Sequence, residues 1–203
     1  KSTALRLINR TYDVGAGAVR VDGIDVRELD PKTLRRAVGV VLQEVILFMG
    51  TVRENLSLGD DTLSDDTLNR ALERVGASAI VARLGGLDAD LAEGGRNLSA
   101  GERQLLAFAR MLVYDPAILV LDEATSNVDT FSEERVQAAV STAMAGRTAI
   151  VVAHRLSTIQ EVDRIVVMQN GRVAEQGSHA ELMAAGGLYR TLYENYYAGP
   201  SAA

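Results

Sequence analysis

Hydrophobic and polar positions change their period several times along this chain, and each change predicts an element. Apolar spacing of three and four predicts a helix from Ser2 to about Asn9, and strict alternation in "VRVDGIDV" predicts a hairpin turning at Asp22-Gly23. "VGVVLQ" reads as a short buried strand that stops at Gln43. From Thr51 to about Arg83 the period is mostly helical, and within it "LSDDTLNRALERVG" starts on a Ser64 cap and stops at Gly76. After the polar "AEGGRN" a long helix is expected from Ser99 to Tyr114, ended by Pro116. "AILVLDE" is a continuous apolar strand ending in two acids, and a helix from about Thr130 to Ala145 follows it. Then come the strand "TAIVVAH", a short helix, the strand "RIVVMQ", a turn at Asn170-Gly171, the strand "RVAEQG", two C-terminal helices and a frayed tail, "AGPSAA".

Strands alternating with helices predict an α/β fold with parallel strands, carrying a helical block between Gln43 and Asp115. Three prolines in 203 residues, with no repeats or low-complexity tracts, predict one compact unit. Composition narrows the function classes. With 47% hydrophobic and 24% charged residues and a mean hydropathy of +0.06, the chain is that of a soluble globular protein. A net charge of -6, with the basic residues scattered, supplies no footprint for nucleic acid or anionic lipid. The absence of cysteine excludes disulfides and thiolate metal sites, and two histidines make a His-rich metal site a poor reading. The longest apolar runs fall far short of the ~20 residues a bilayer crossing needs.

Several stretches carry candidate chemistry. "KST" at the start matches the end of a phosphate-binding P-loop, G-x-x-x-x-G-K-[ST], and equally an ordinary helix start. Asp122 and Glu123 end a buried strand, where one acid can hold magnesium and the other can polarise a water; a strand ending in solvated acids is the plainer account. In "NLSAGERQLL", Ser99 and Glu102 form a capping-box pattern, and the same helix start, with Gly101, can present free amides to a phosphate. Capping alone requires neither that glycine nor the Arg-Gln pair after Glu102. Gln43 and His154 each end a strand, either as satisfied polar residues or as groups beside a metal and a terminal phosphate. His179, in "GSHAEL", belongs to another capping pattern and is read as structural.

In their order and spacing these motifs resemble the ATPase domain of ABC transporters, over essentially the whole chain from Lys1 to about Tyr193. "LQEVILFMGTVRENL" and "EGGRNLSAGERQLL" look like the exporter type, in which the ATPase follows a membrane domain in one polypeptide. The resemblance implies a P-loop NTPase (RecA-like) core at 1–43 and 115–186, a helical signature subdomain at 44–114, and a C-terminal helix and tail at 187–203. It assigns ATP phosphates to Lys1, Ser2 and Thr3, and Mg2+ to Ser2, Gln43 and Asp122. Glu123 would be the general base, His154 the switch histidine at the γ-phosphate and Gln43 the Q-loop residue. Ser99 and Gly101 would meet ATP held by a second such domain, packed head to tail, with Asp129 speaking across that interface. Residues 43–50 and 92–97 would meet coupling helices of the membrane part, which places the protein at the cytoplasmic face of the membrane.

Two departures stand out. The commonest signature is LSGGQ, and here Ala100 and Glu102 replace a glycine and a glutamine. The chain as written also opens within the P-loop pattern, so the phosphate-wrapping glycines, an adenine-stacking aromatic and their strands are expected upstream. By itself this length of chain is expected to be soluble, to bind ATP weakly, to leave it unhydrolysed and to be prone to aggregation or unusual dimerisation. The alternatives are an importer's ATPase subunit or a folded fragment without catalysis; an ABC-type ATPase acting on DNA or ribosomes would carry coiled-coil or basic insertions, which this chain does not offer.

Overall fold

A computed structural model describes residues 1–41, 45–122, 130–152, 159 and 162–197, with the backbone alone for 130–132 and 196–197. The chain opens with helix α1 (Ser2–Ile8), followed by the short antiparallel strands β1 (Arg20–Val21) and β2 (Ile24–Asp25). Asp22 and Gly23, at φ 50° and 81°, turn the chain between them as the alternation predicts. Helix α2 (Pro31–Ala37) has proline in its first turn and Asp30 as N-cap, whose carboxylate accepts the Thr33 amide.

Three parallel strands form the central sheet in the order β3 (Val38–Val41), β6 (Ile118–Asp122), β7 (Thr148–Val152). Because β6 is central, its side chains are buried on both faces, and their alternation assigns them to two layers. Leu119 and Leu121 join the larger core, which includes Leu106 and Phe108 of α6 (Ala100–Leu112) and Val136 of α7 (Thr130–Met144). Val120 points the other way, into a cluster with Leu5 of α1, Val26, Leu34 of α2, Val38 and Val152. Fully burying a side chain such as Leu106 is worth ~1.5–3 kcal/mol. Gly39 lets this layer close: a Cβ there would lie 2.6 Å from Pro116 and 2.8 Å from Met111.

Between β3 and β6 the helical block is present. It runs through β4 (Gly50–Thr51), α3 (Val52–Ser57), α4 (Asp65–Arg74), α5 (Ser78–Leu84) and β5 (Asp90–Leu91) before α6, and β4 pairs with β5. Ser64 caps α4, and Gly76 follows it at φ 67°, where the sequence pattern placed the start and stop. Leu68, Leu72, Ile80 and Leu91 bury their apolar faces in the larger core.

The prediction of one compact unit needs correcting. The contacts divide the chain into Ser2–Val152 and a second unit formed by Ala153–Ala203, with Lys1 counted to it. The second unit has its own reasons to cohere. Strands β8 (Ile165–Gln169) and β9 (Arg172–Gly177) pair only with each other among the described residues, through Asn170 and Gly171 at φ 49° and 76°. Helices α8 (His179–Ala185) and α9 (Leu188–Tyr197) close over them, burying Val167, Leu182 and Tyr189 in a separate small core. The Glu175 carboxylate accepts the amides of Leu188 and Tyr189 at 2.6 and 2.9 Å, fastening the start of α9 to β9. His179, read as structural, has its Nδ1 2.7 Å from the Tyr189 hydroxyl. The short helix expected after β7 falls largely on residues 153–158, 160 and 161, and the expected tail on 198–203, outside the described residues.

Candidate nucleotide site

The parallel sheet brings three carboxyl ends to one edge, which is where open α/β sheets bind ligands. Val41 lies beside Leu121, and Asp122 beside Val152. Gln43 comes two residues after Val41, Glu123 directly after Asp122, His154 two residues after Val152, and Asp129 directly before α7; all four lie outside the described residues. Asp122 is half-buried at the end of the central strand, and no described residue donates to its carboxylate. A carboxylate at the edge of a parallel sheet suits a hard, oxygen-seeking cation such as Mg2+. Among the described residues there is no group of three His, Cys, Asp or Glu placed to hold a metal, so Asp122 stands as the one described carboxylate of the expected set.

Ser2 and Thr3 are exposed in the first turn of α1, and Lys1 is exposed just before them. The helix is fixed by Leu5, which packs in the same cluster as Val120 of β6. Ser2 and Thr3 are therefore carried by the element that covers the Asp122 strand.

Ser99 and Gly101 sit at the amino end of α6. The Ser99 hydroxyl accepts the Glu102 amide at 3.2 Å, and Glu102 Oε2 accepts the Ser99 amide at 2.9 Å, completing the capping box. Glu102 Oε1 also takes an ion pair from Arg83 at 2.6 Å. That leaves the Ala100 and Gly101 amides, for which a helix provides no internal acceptor, to point out of the helix start. Arg103 steadies the approach from the inside, donating to the Leu98 carbonyl at 2.7 Å. No hydrogen bond or ion pair joins this helix start to Asp122 among the described residues, so within one chain the two remain separate features.

Sequence reasoning missed the opposite end of α6. Arg110 donates to the carbonyls of Asn55 and Ile46 at 2.7 and 2.8 Å and to Asn55 Oδ1 at 2.9 Å. Asn55, only 3% exposed, holds both the amide and the carbonyl of Phe48 at 2.9 Å. The signal was there to be read: an arginine inside the apolar "LAFARML" and an asparagine on the buried stripe of "VRENLS" both demand partners.

Similarity to known proteins follows the same lines. The family model described as ABC transporter matches residues 1–126. The uncharacterized ABC transporter ATP-binding protein YknV of Bacillus subtilis (strain 168) is 43% identical over 198 residues, which is 97% of this chain and 33% of that protein. The Beta-(1-->2)glucan export ATP-binding/permease protein NdvA of Bradyrhizobium diazoefficiens is 46% identical over 192 residues, 95% of this chain and 32% of that protein. A solved structure of a bacterial Atm1-family ABC exporter with ATP bound superimposes with a TM-score of 0.87 at 39% identity, covering 100% of this chain and 36% of that one. The chain spans about a third of the length of these relatives. Its α/β core with a helical insertion matches the nucleotide-binding domain of an ABC exporter, and the chain belongs to the ABC transporter family.

Proposed function

We propose that this chain is the ATP-binding and ATP-hydrolysing domain of an exporter whose membrane-spanning part lies elsewhere in the same polypeptide. The observation that supports the reading is the sheet edge: three parallel strands end side by side at Val41, Asp122 and Val152, and the sequence continues from them to Gln43, Glu123 and His154, residue types that can serve phosphoryl transfer as metal ligand, base and charge-sensing group. Residues 1–43 and 115–186 would form the ATPase core, 44–114 the helical signature subdomain and 187–203 the C-terminal helix and tail. Similarity to ATP-binding/permease proteins supports a membrane setting, with this domain at the cytoplasmic face. No helix among the described residues is long and apolar enough to cross a bilayer.

In this reading Lys1, Ser2 and Thr3 bind the phosphates of ATP, and Ser2, Gln43 and Asp122 would hold Mg2+, which would supply positive charge against the charge that develops on the phosphates. Glu123 takes a proton from water as its oxygen attacks the γ-phosphorus, the bond to the β,γ-bridging oxygen breaks, and ADP and phosphate result. His154 stabilises the charge on the γ-phosphoryl group. A second nucleotide-binding domain, packed head to tail, offers its Ser99 and Gly101 to the same phosphate, so that ATP closes the pair and hydrolysis opens it. The test is phosphate release by the full-length protein in lipid nanodiscs with Mg-ATP. Turnover that falls about 10²-fold or more in Glu123→Gln supports the assignment; a wild-type protein without turnover, or an E123Q variant as fast as wild type, overturns it.

A further inference from the structure

Capping accounts for Ser99 and Glu102 in "LSAGERQ" but not for the arginine that follows them. Arg103 is half-buried, and its Nη1 donates to the Leu98 carbonyl at 2.7 Å and lies 3.5 Å from the Gly95 carbonyl. The Leu98 carbonyl and the Ser99 amide belong to one planar peptide group, and Glu102 Oε2 accepts that amide at 2.9 Å. Two successive side chains thus hold the same peptide at both ends, Glu102 at its nitrogen and Arg103 at its oxygen. Held only at its nitrogen, a peptide plane can still tilt about the line joining its two Cα atoms; the second hold removes that freedom. The arginine stem is seated as well. It packs on Gly95, where a Cβ would lie 3.0 Å from Arg103 Cδ and 2.8 Å from Leu47 Cδ1. Gly95 is buried at φ 66°, and its carbonyl accepts the Leu98 amide at 2.9 Å, closing the turn that enters α6.

We infer that Arg103 is a positioning residue for the Ser99 hydroxyl: through the Leu98–Ser99 peptide it sets the direction in which that hydroxyl meets the γ-phosphate of ATP held by the second domain. This rests on the proposed role of Ser99 at that phosphate. Ser99 is exposed, and its hydroxyl accepts the Glu102 amide at 3.2 Å, so the hydroxyl proton remains to be donated elsewhere. The peptide plane from which Ser99 leaves decides where that donor points. Arg103 spends its own donor on backbone carbonyls, so its effect on the reaction passes through Ser99 and ends when that hydroxyl is removed.

The experiment is a double-mutant comparison on the full-length protein in nanodiscs. It reads Mg-ATP turnover per folded molecule, counted from the amplitude of the thermal unfolding transition. Arg103→Met keeps an unbranched apolar stem against Gly95 and removes the donor. A misplacement of about 1 Å can slow an enzyme about 10²-fold, and the tilt of one peptide is smaller, so R103M should be about tenfold slower than wild type. Arg103→Lys, which restores a donor on a shorter stem, should fall between the two. In a Ser99→Ala background the same R103M change should alter turnover by less than about twofold, because residues that act as a unit do not add. A residue with a structural role alone would slow both backgrounds by the same factor. That result overturns the inference, and so does an R103M variant as fast as wild type. If R103M fails to fold, Arg103→Gln, whose donor is two bonds shorter, carries the same two comparisons with the same outcomes. An S99A protein as fast as wild type removes the role of Ser99 and the inference with it, while E123Q still tests hydrolysis separately.

Discussion

Two helices of this protein begin with the same device, and what surrounds it separates them. At α6 the sequence Ser99-Ala100-Gly101-Glu102 closes a capping box at 3.2 and 2.9 Å, and at α8 Ser178-His179-Ala180-Glu181 closes one at 3.3 and 2.8 Å. At α8 the second residue, His179, folds back onto the Tyr189 hydroxyl and lies against the rings of Tyr189 and Tyr193, so the helix start is committed to its own small core. At α6 the corresponding residue is alanine, the next is glycine, and the glutamate is held outside by Arg83. That helix start is capped by the same box, with Ala100 half-buried and Gly101 buried. A third box, Thr51 with Glu54, opens α3. The motif therefore reports a helix start, and the residues between its two ends decide what that start packs against.

The largest expected difference between the two regions is in stability. Leu106→Ala, in the core behind α6, should cost about 2–5 kcal/mol in urea unfolding, and Leu182→Ala, behind α8, should fall at the low end of that range. Leu182 belongs to a cluster of three buried residues, so its surroundings have less to lose. Equal costs would mean that the two units share one core after all. Next in size is activity. Ser99→Ala in the full-length protein should slow ATP turnover about 10²-fold, as loss of a phosphate-facing donor does, whereas Ser178→Ala should leave it within about twofold. Each should also lose about 1 kcal/mol of stability as a missing N-cap, so thermal unfolding alone should not tell them apart.

A smaller effect is set by pH. The Ser178 amide and then its hydroxyl hold the Glu181 carboxyl below its ordinary value of 4.5, with Arg164 nearby adding to the same direction. A depressed folded-state value means that this contribution is present above 4.5 and is lost as pH falls through the lower, folded value. Thermal melts taken downward from pH 5 should lose less in Glu181→Gln than in wild type, and parallel curves would deny the capping carboxylate its charge-dependent part. The smallest change is Arg83→Ala. Its partner is partly exposed, so the pair should contribute at most about 1 kcal/mol. A larger loss, or an altered Mg-ATP dependence in the full-length protein, would give Arg83 a part in shaping the α6 helix start.

The amino-acid pattern by itself determined most of the elements and their ends. Alternation around Asp22-Gly23, the Ser64, Ser99 and Ser178 caps, and the unbroken apolar run before Asp122 are local statements, made by residues within a few positions of each other. It also pointed to the candidate site, because a strand's last polar residue is visible in one dimension. Tertiary structure decided what lies far apart in sequence: that Leu119 and Val120 serve different layers, that the last fifty residues keep a core of their own, and that Arg110 spans 55 and 64 residues to reach Asn55 and Ile46. An arginine in an apolar stretch announces that it needs acceptors, but only the packing of α6 against α3 supplies them, since a carbonyl offers no signature in the sequence.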